Sequence, residues 1–153
     1  MKTIAIYAGS FNPFHIGHLN ILYKAERIFG KDNVVVAIGV NPNKDKRSKD
    51  EVRKSCEELE DKITRPVIYY YGEFLHEVIE KYENDGYNVV LIRGLRNGAD
   101  LDYEVNQMRY VDDFKKNVNT IYITCDKEYE HISSSAIRSL EQFRKGSADQ
   151  YLV

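Results

Sequence analysis

Tyr7-Ala8-Gly9-Ser10-Phe11-Asn12-Pro13-Phe14-His15-Ile16-Gly17-His18-Leu19-Asn20-Ile21 decides how this chain is read. An apolar run from Thr3 to Ala8 enters a Gly/Ser/Asn/Pro turn, and two histidines bracketing Gly17 lead into a helix. The layout is strand, tight turn, helix. It brings polar donors, imidazoles and a helix N-terminus to one spot. A helix N-terminus carries partial positive charge and unpaired N–H groups, so this is a place to hold phosphate. Gly17 is expected to let a phosphate approach the backbone. His18, in the first helical turn, is expected to donate a hydrogen bond to a phosphate oxygen.

Working outward, strand-like and helix-like segments alternate to the end of the chain. Apolar or β-branched runs at Thr3–Ala8, Asn33–Val40, Pro66–Tyr71, Asn88–Arg93 and Asn119–Thr124 have the make-up of buried parallel strands. Helical periodicity fills the gaps. Leu19, Leu22, Tyr23 and Phe29 mark a first helix stopped by Gly30, and Asp50 to Lys62 a charged second. Phe74, Leu75, Val78, Ile79 and Tyr82 stripe a third. Asp100 to Lys116 gives a fourth, and Ser133 to Phe143 a fifth with serines suited to its N-cap. The polar, basic stretch from Asn41 to Lys49 reads as a mobile connection. The alternation predicts an α/β fold: a single domain with a Rossmann-like, doubly wound, five-stranded parallel sheet and helices on both faces. Ligands in such sheets lie beyond the strand C-terminal ends, where strand order reverses.

Composition narrows the function classes. At 153 residues the chain can bury a proper core, and its net charge of -2 carries no global bias toward nucleic acid or anionic membrane. No stretch approaches a membrane span, and Met1-Lys2-Thr3-Ile4-Ala5 has no signal-peptide layout, which points to the cytoplasm. Cys56 and Cys125 lack metal or redox spacing and read as free thiols. Tyr69-Tyr70-Tyr71 has no interleaved basic residues and reads as strand rather than as a stacking platform for nucleic acid.

Two further clusters join the first. Arg93-Gly94-Leu95-Arg96 follows the fourth strand directly, and its arginines can fork onto phosphate oxygens. Ion pairs with Asp100, Asp102 or Glu104 are the plainer use of those arginines. Ile132-Ser133-Ser134-Ser135 opens the last helix with hydroxyl and amide donors, where simple capping is the plainer use. There is no Gly-x-Ser-x-Gly, no Cys–His pairing, no P-loop and no metal-ligand spacing. Phosphate donors without covalent machinery suit direct phosphoryl or nucleotidyl transfer, where positioning and charge stabilisation dominate.

Together the three clusters resemble the nucleotidylyltransferase superfamily, through its His-x-Gly-His type motif. Within it the chain is most similar to bacterial phosphopantetheine adenylyltransferases, from Ile4 to about Leu152. The Arg93 to Glu104 block is the most discriminating part of the match. The resemblance implies adenylyl transfer from ATP to 4′-phosphopantetheine, with Mg2+ entering on ATP, and a homohexamer. It implies that Ser10 orients the attacking phosphate, and that the Phe11 backbone and His18 contact ATP phosphates. Lys44 would bridge nucleophile and α-phosphate. Leu75 and Arg93 would line the pantetheine side. Gly94, Leu95, Arg96 and Glu104 would hold the nucleotide. Tyr129, Glu130, His131, Ile132, Ser133, Ser134 and Ser135 would bind adenine and phosphates. Asn12 stands where these enzymes usually carry Asp. His15 stands where they often carry Thr and where nicotinate or nicotinamide mononucleotide adenylyltransferases carry His. Ile137-Arg138 also leans toward those relatives. Leu152-Val153 stands where many members continue into another helix. A pyridine mononucleotide adenylyltransferase and a non-catalytic nucleotide sensor are the alternative readings.

Overall fold

The computed structural model describes residues 1–43 and 45–153. Five strands, β1 (Lys2–Gly9), β2 (Val34–Val40), β3 (Val67–Tyr71), β4 (Tyr87–Leu95) and β5 (Asn119–Thr124), pair in the order β3-β2-β1-β4-β5, all parallel. Between them run α1 (Ile16–Phe29), α2 (Lys49–Ile63), α3 (Leu75–Asn84) and α4 (Gly98–Phe114), and α5 (Ser134–Phe143) follows β5. The strands and helices expected from the sequence are all present. The chain winds outward from β1 to β3, then crosses back to β4 on the other side of β1. Strand order therefore reverses between β1 and β4, where Tyr7 lies opposite Ile92.

Period-two alternation along the strands builds two apolar layers. Tyr7, Val36, Ile38 and Ile92 face Ile21, Leu22 and Ala25 of α1 and Val52, Cys56 and Leu59 of α2. Ile6, Ala8, Val35, Ala37 and Leu91 face Val78 and Ile79 of α3 and Met108 of α4. Burying one apolar side chain stabilises by about 1.5–3 kcal/mol, so the paired layers outweigh any single surface contact. Close packing also needs one glycine: a Cβ on Gly39 would fall 2.2 Å from the Tyr70 ring.

A third, smaller core fixes the site. Ile132, Ile137 and the fully enclosed Ala148 pack against Ile16, Tyr129 and Tyr151. It clamps the first residue of α1 to the opening of α5, so the two helix N-termini converge. The chain then returns to the turn after β1, and Leu152 pairs with His15 in an isolated antiparallel bridge. Among the described residues, no helix is long and apolar enough to cross a membrane.

Candidate active site

A cavity of about 350 Å³ opens at the strand-order reversal. The C-terminal ends of β1 and β4 form its floor, and the openings of α1 and α5 form its wall. Ser10, Phe11, His15, Gly17 and His18 line it from the first motif, Arg93, Gly94, Leu95, Arg96 and Glu104 from the second, and Tyr129, Ile132, Ser133, Ser134 and Ser135 from the third. Three clusters far apart in sequence thus share one cavity.

The opening of α1 is built from its own imidazoles. His15 is the N-cap, and its Nδ1 accepts the Gly17 N–H at 3.1 Å. His18 Nδ1 in turn accepts the His15 N–H at 3.1 Å. The rings stack with centroids 3.6 Å apart and 24° between planes. A nitrogen that accepts carries no proton, so each neutral ring must hold its proton on Nε2. Each histidine satisfies backbone with one nitrogen and keeps an N–H donor on the other. Gly17 has a purpose the sequence did not suggest: a Cβ there would strike His15 Cε1 at 2.9 Å. Phe11 reaches the site through a left-handed backbone, φ 43°, and sets its ring edge-on to His18 at 4.9 Å.

Burial and the nearby Arg96 charge push His15 down to about 4, from an ordinary 6.5. Burial, then the charges of His15 and Arg96, hold His18 well below the ordinary range. Both are neutral hydrogen-bond donors at neutral pH.

The opening of α5 is built differently. Ser133 caps the helix by accepting the Ala136 N–H at 3.1 Å. The Ser134 hydroxyl donates to Pro13 O at 2.8 Å, which ties α5 to the turn after β1. The Ser134 and Ser135 N–H groups lie in the first helical turn, where no intrahelical partner exists.

Both arginines of the second cluster are ion-paired and still line the cavity. Arg93 Nε meets Glu104 at 2.7 Å and its Nη1 donates to Ala8 O at 2.8 Å. Burial opposes the Arg93 charge, but Glu104 outweighs that and holds it firmly ionised. Arg96 pairs with Asp100 at 3.2 Å. The plainer ion-pair reading is thus present alongside the cavity placement. A Cβ on Gly94 would meet Ile21 Cδ1 at 2.6 Å, so β4 and α1 touch there only through glycine.

The cytidylyltransferase-like family model matches residues 6–140 of this chain. Phosphopantetheine adenylyltransferase from Mycoplasma capricolum is 38% identical over 93% of this chain and 99% of its own length. The enzyme of that name from Streptococcus pyogenes is 32% identical over 97% of this chain and 89% of its own. The chain belongs to the cytidylyltransferase-like family, in its phosphopantetheine adenylyltransferase branch. In fold it is similar to a Vibrio parahaemolyticus protein assigned as a nicotinate-nucleotide adenylyltransferase, with TM-score 0.66 and 16% identity, covering 100% of this chain and 88% of that one. It is also similar to a bifunctional Francisella tularensis NMN adenylyltransferase/ADP ribose pyrophosphatase, with TM-score 0.63 and 19% identity, covering 99% of this chain and 44% of that one.

Not every residue singled out in the sequence lies in the cavity. Lys44 lies outside the described residues. Leu75 opens α3 and packs with the layer on the opposite face of the sheet. Glu130 and His131 are not in the cavity lining, and His131 meets the Tyr151 ring edge-on at 6.2 Å. Two cations escaped notice as parts of the site's frame. Arg47 pairs with Asp45 and donates to Ser10 O at 2.9 Å. Arg138 donates to Asn12 O. Residues 45–47 are therefore fastened to the turn after β1, where a mobile connection was expected. No spacing rule marks a guanidinium that binds a distant backbone carbonyl. The helical position of Arg138, on α5 beside the serine opening, was the one available signal.

Proposed function

We propose that the chain transfers the adenylyl group of ATP to 4′-phosphopantetheine, giving dephospho-coenzyme A and pyrophosphate. One observation carries this reading: the N-termini of α1 and α5 converge with both arginines on one cavity, in a chain of the phosphopantetheine adenylyltransferase branch. The nucleophile is itself a phosphate anion, so no general base is needed. Direct in-line attack on the α-phosphorus builds negative charge on its equatorial oxygens. The Nε2–H donors of the paired imidazoles suit that charge without changing protonation state. Removing one such donor typically costs about 10²–10³ in rate.

In this reading Ser10 orients the attacking phosphate and His18 and the Phe11 backbone meet ATP phosphates. Lys44 bridges the two reacting groups. Arg93 and Leu75 serve the pantetheine side, and Gly94, Leu95, Arg96 and Glu104 the nucleotide. The 129–135 segment takes adenine and phosphate. Among the described residues no three His, Cys, Asp or Glu side chains gather to cage a metal. In this reading Mg2+ arrives with ATP, held by the triphosphate oxygens and water. Mg2+ would neutralise phosphate charge there. We place the reaction in the cytoplasm, supported by two buried free thiols that suit a reducing compartment.

We further propose a homo-oligomer, a hexamer by resemblance. Its support is an aromatic face where Phe74, His76 and Phe114 stack at 5.2–5.4 Å, with Tyr110, one turn before Phe114 on α4, also exposed. Pyrophosphate release, measured with ATP plus each acceptor, tests the function. Turnover is expected with 4′-phosphopantetheine. Turnover of nicotinate mononucleotide and none of phosphopantetheine would transfer the chain to the pyridine branch. ATP binding without turnover of any acceptor would make it a sensor.

A further inference from the structure

Tyr7 lies two residues before the end of β1, on the strand that feeds the cavity. Only 2% of it is exposed, and its ring is held edge-on by Phe11 at 5.0 Å and 76°. The side chain nonetheless lines the cavity. Its hydroxyl rests against Gly94, where a Cβ would come within 3.1 Å of the oxygen. Among the described residues the chain gives this hydroxyl no hydrogen-bond partner. The oxygen is not sealed in either, because among the described residues no fully enclosed side-chain oxygen or nitrogen lacks one. Burial raises the phenol far above its ordinary range, so the group stays a neutral hydroxyl at any working pH.

A tyrosine buried to this degree ordinarily finds a partner for its hydroxyl. Here the cavity is the open direction, so whatever fills the cavity meets this hydroxyl. The lining tells which part of the ligand. Charge-binding groups gather at the helix openings: the two histidines, Arg96 and the first turn of α5. The Tyr7 hydroxyl instead sits against Gly94 and Ile21, and the two charges that act on it, Arg93 and Glu104, are paired with each other. That surroundings suits a neutral nucleoside rather than a phosphate.

We propose that the Tyr7 hydroxyl hydrogen-bonds the sugar–base half of the bound nucleotide, and so sets how deeply the nucleoside seats beneath the α-phosphate. This rests on the adenylyl-transfer reading above. In Tyr7→Phe the ring and its contact with Phe11 remain while the hydroxyl is lost. Calorimetric titration of wild type and variant with ATP, AMP and inorganic pyrophosphate separates the possibilities. ATP and AMP affinity should fall together by about 3- to 10-fold, the range for one neutral hydrogen bond, with pyrophosphate affinity unchanged. The unchanged pyrophosphate arm also reports that the variant is folded. Equal ATP affinity in wild type and variant overturns this inference alone. Parallel loss of ATP and pyrophosphate affinity also overturns it, since the hydroxyl would then serve the phosphate site or the fold. A wild-type protein that binds no ATP overturns the adenylyl-transfer reading itself, and this inference with it.

Discussion

The openings of α1 and α5 face the same cavity but are capped by different chemistry. Ser133 has one hydroxyl and gives it to the helix, and the Ser134 hydroxyl goes to Pro13 O. What α5 offers a ligand is therefore mainly backbone N–H. His15 and His18 also serve the backbone, through Nδ1, yet each keeps a second nitrogen 'outside' the cap. An imidazole is a two-ended cap and a serine is a one-ended one. In the proposed reaction the difference would concentrate catalysis at α1. Backbone N–H groups at α5 can bind phosphate in any state, whereas the imidazole donors at α1 can be aimed at charge that appears only during reaction.

The contrast breaks most visibly at His18. Replacing it by Ala should cut turnover by at least about 100-fold and leave ATP affinity within a few-fold, because the interaction is realised mainly in the transition state. Pyrophosphate release and calorimetry give the two numbers, and unchanged turnover would remove His18 from the mechanism. His15→Ser sharpens the point. Serine keeps a cap acceptor but deletes the second donor and the stack on His18. Turnover should fall by about 10-fold, with stability within about 1 kcal/mol of wild type. A variant as active as wild type would reduce His15 to a cap.

Acid provides a third probe. The folded chain holds His15 near 4, while the unfolded chain holds it near 6.5, so between these values the unfolded state binds more protons. Stability from this group is complete above pH 6.5 and is lost as pH falls toward 4. His18 acts in the same direction. Thermal unfolding across that window should decline less steeply in His15→Ser than in wild type, and parallel curves would contradict the assignment. The smallest effect belongs to Ser133→Ala, which should lose about 1 kcal/mol in urea unfolding, with turnover within about 3-fold. A hundredfold loss of turnover at unchanged stability would put that hydroxyl on the ligand and erase the contrast between the two helices.

The sheet was legible because its signals are local and repeated. Each strand is a short apolar run, and each gap carries helical spacing or a cap. The site's centre was legible for a related reason: Ser10, His18, Arg93 and Ser133 sit at strand ends or helix openings, which the alternation locates. What stayed hidden depends on contacts between distant segments. Nothing near Arg47 in sequence announces Ser10, and nothing in His-x-Gly-His states which nitrogen of each ring serves the backbone. The resemblance placed Leu75, Glu130 and His131 with the ligands, while the side chains lie away from this cavity. Tyr7 falls inside the apolar Thr3–Ala8 run, where a residue beside the cavity looks the same as one in the core.

Ala148, Tyr151 and Leu152 close the small core over Ile16 and the turn at His15. The stretch from Ala148 to Leu152 therefore acts as a strap across the two helix openings. The distance between the two walls of the cavity is set by packing that lies outside the sheet, not by strand pairing.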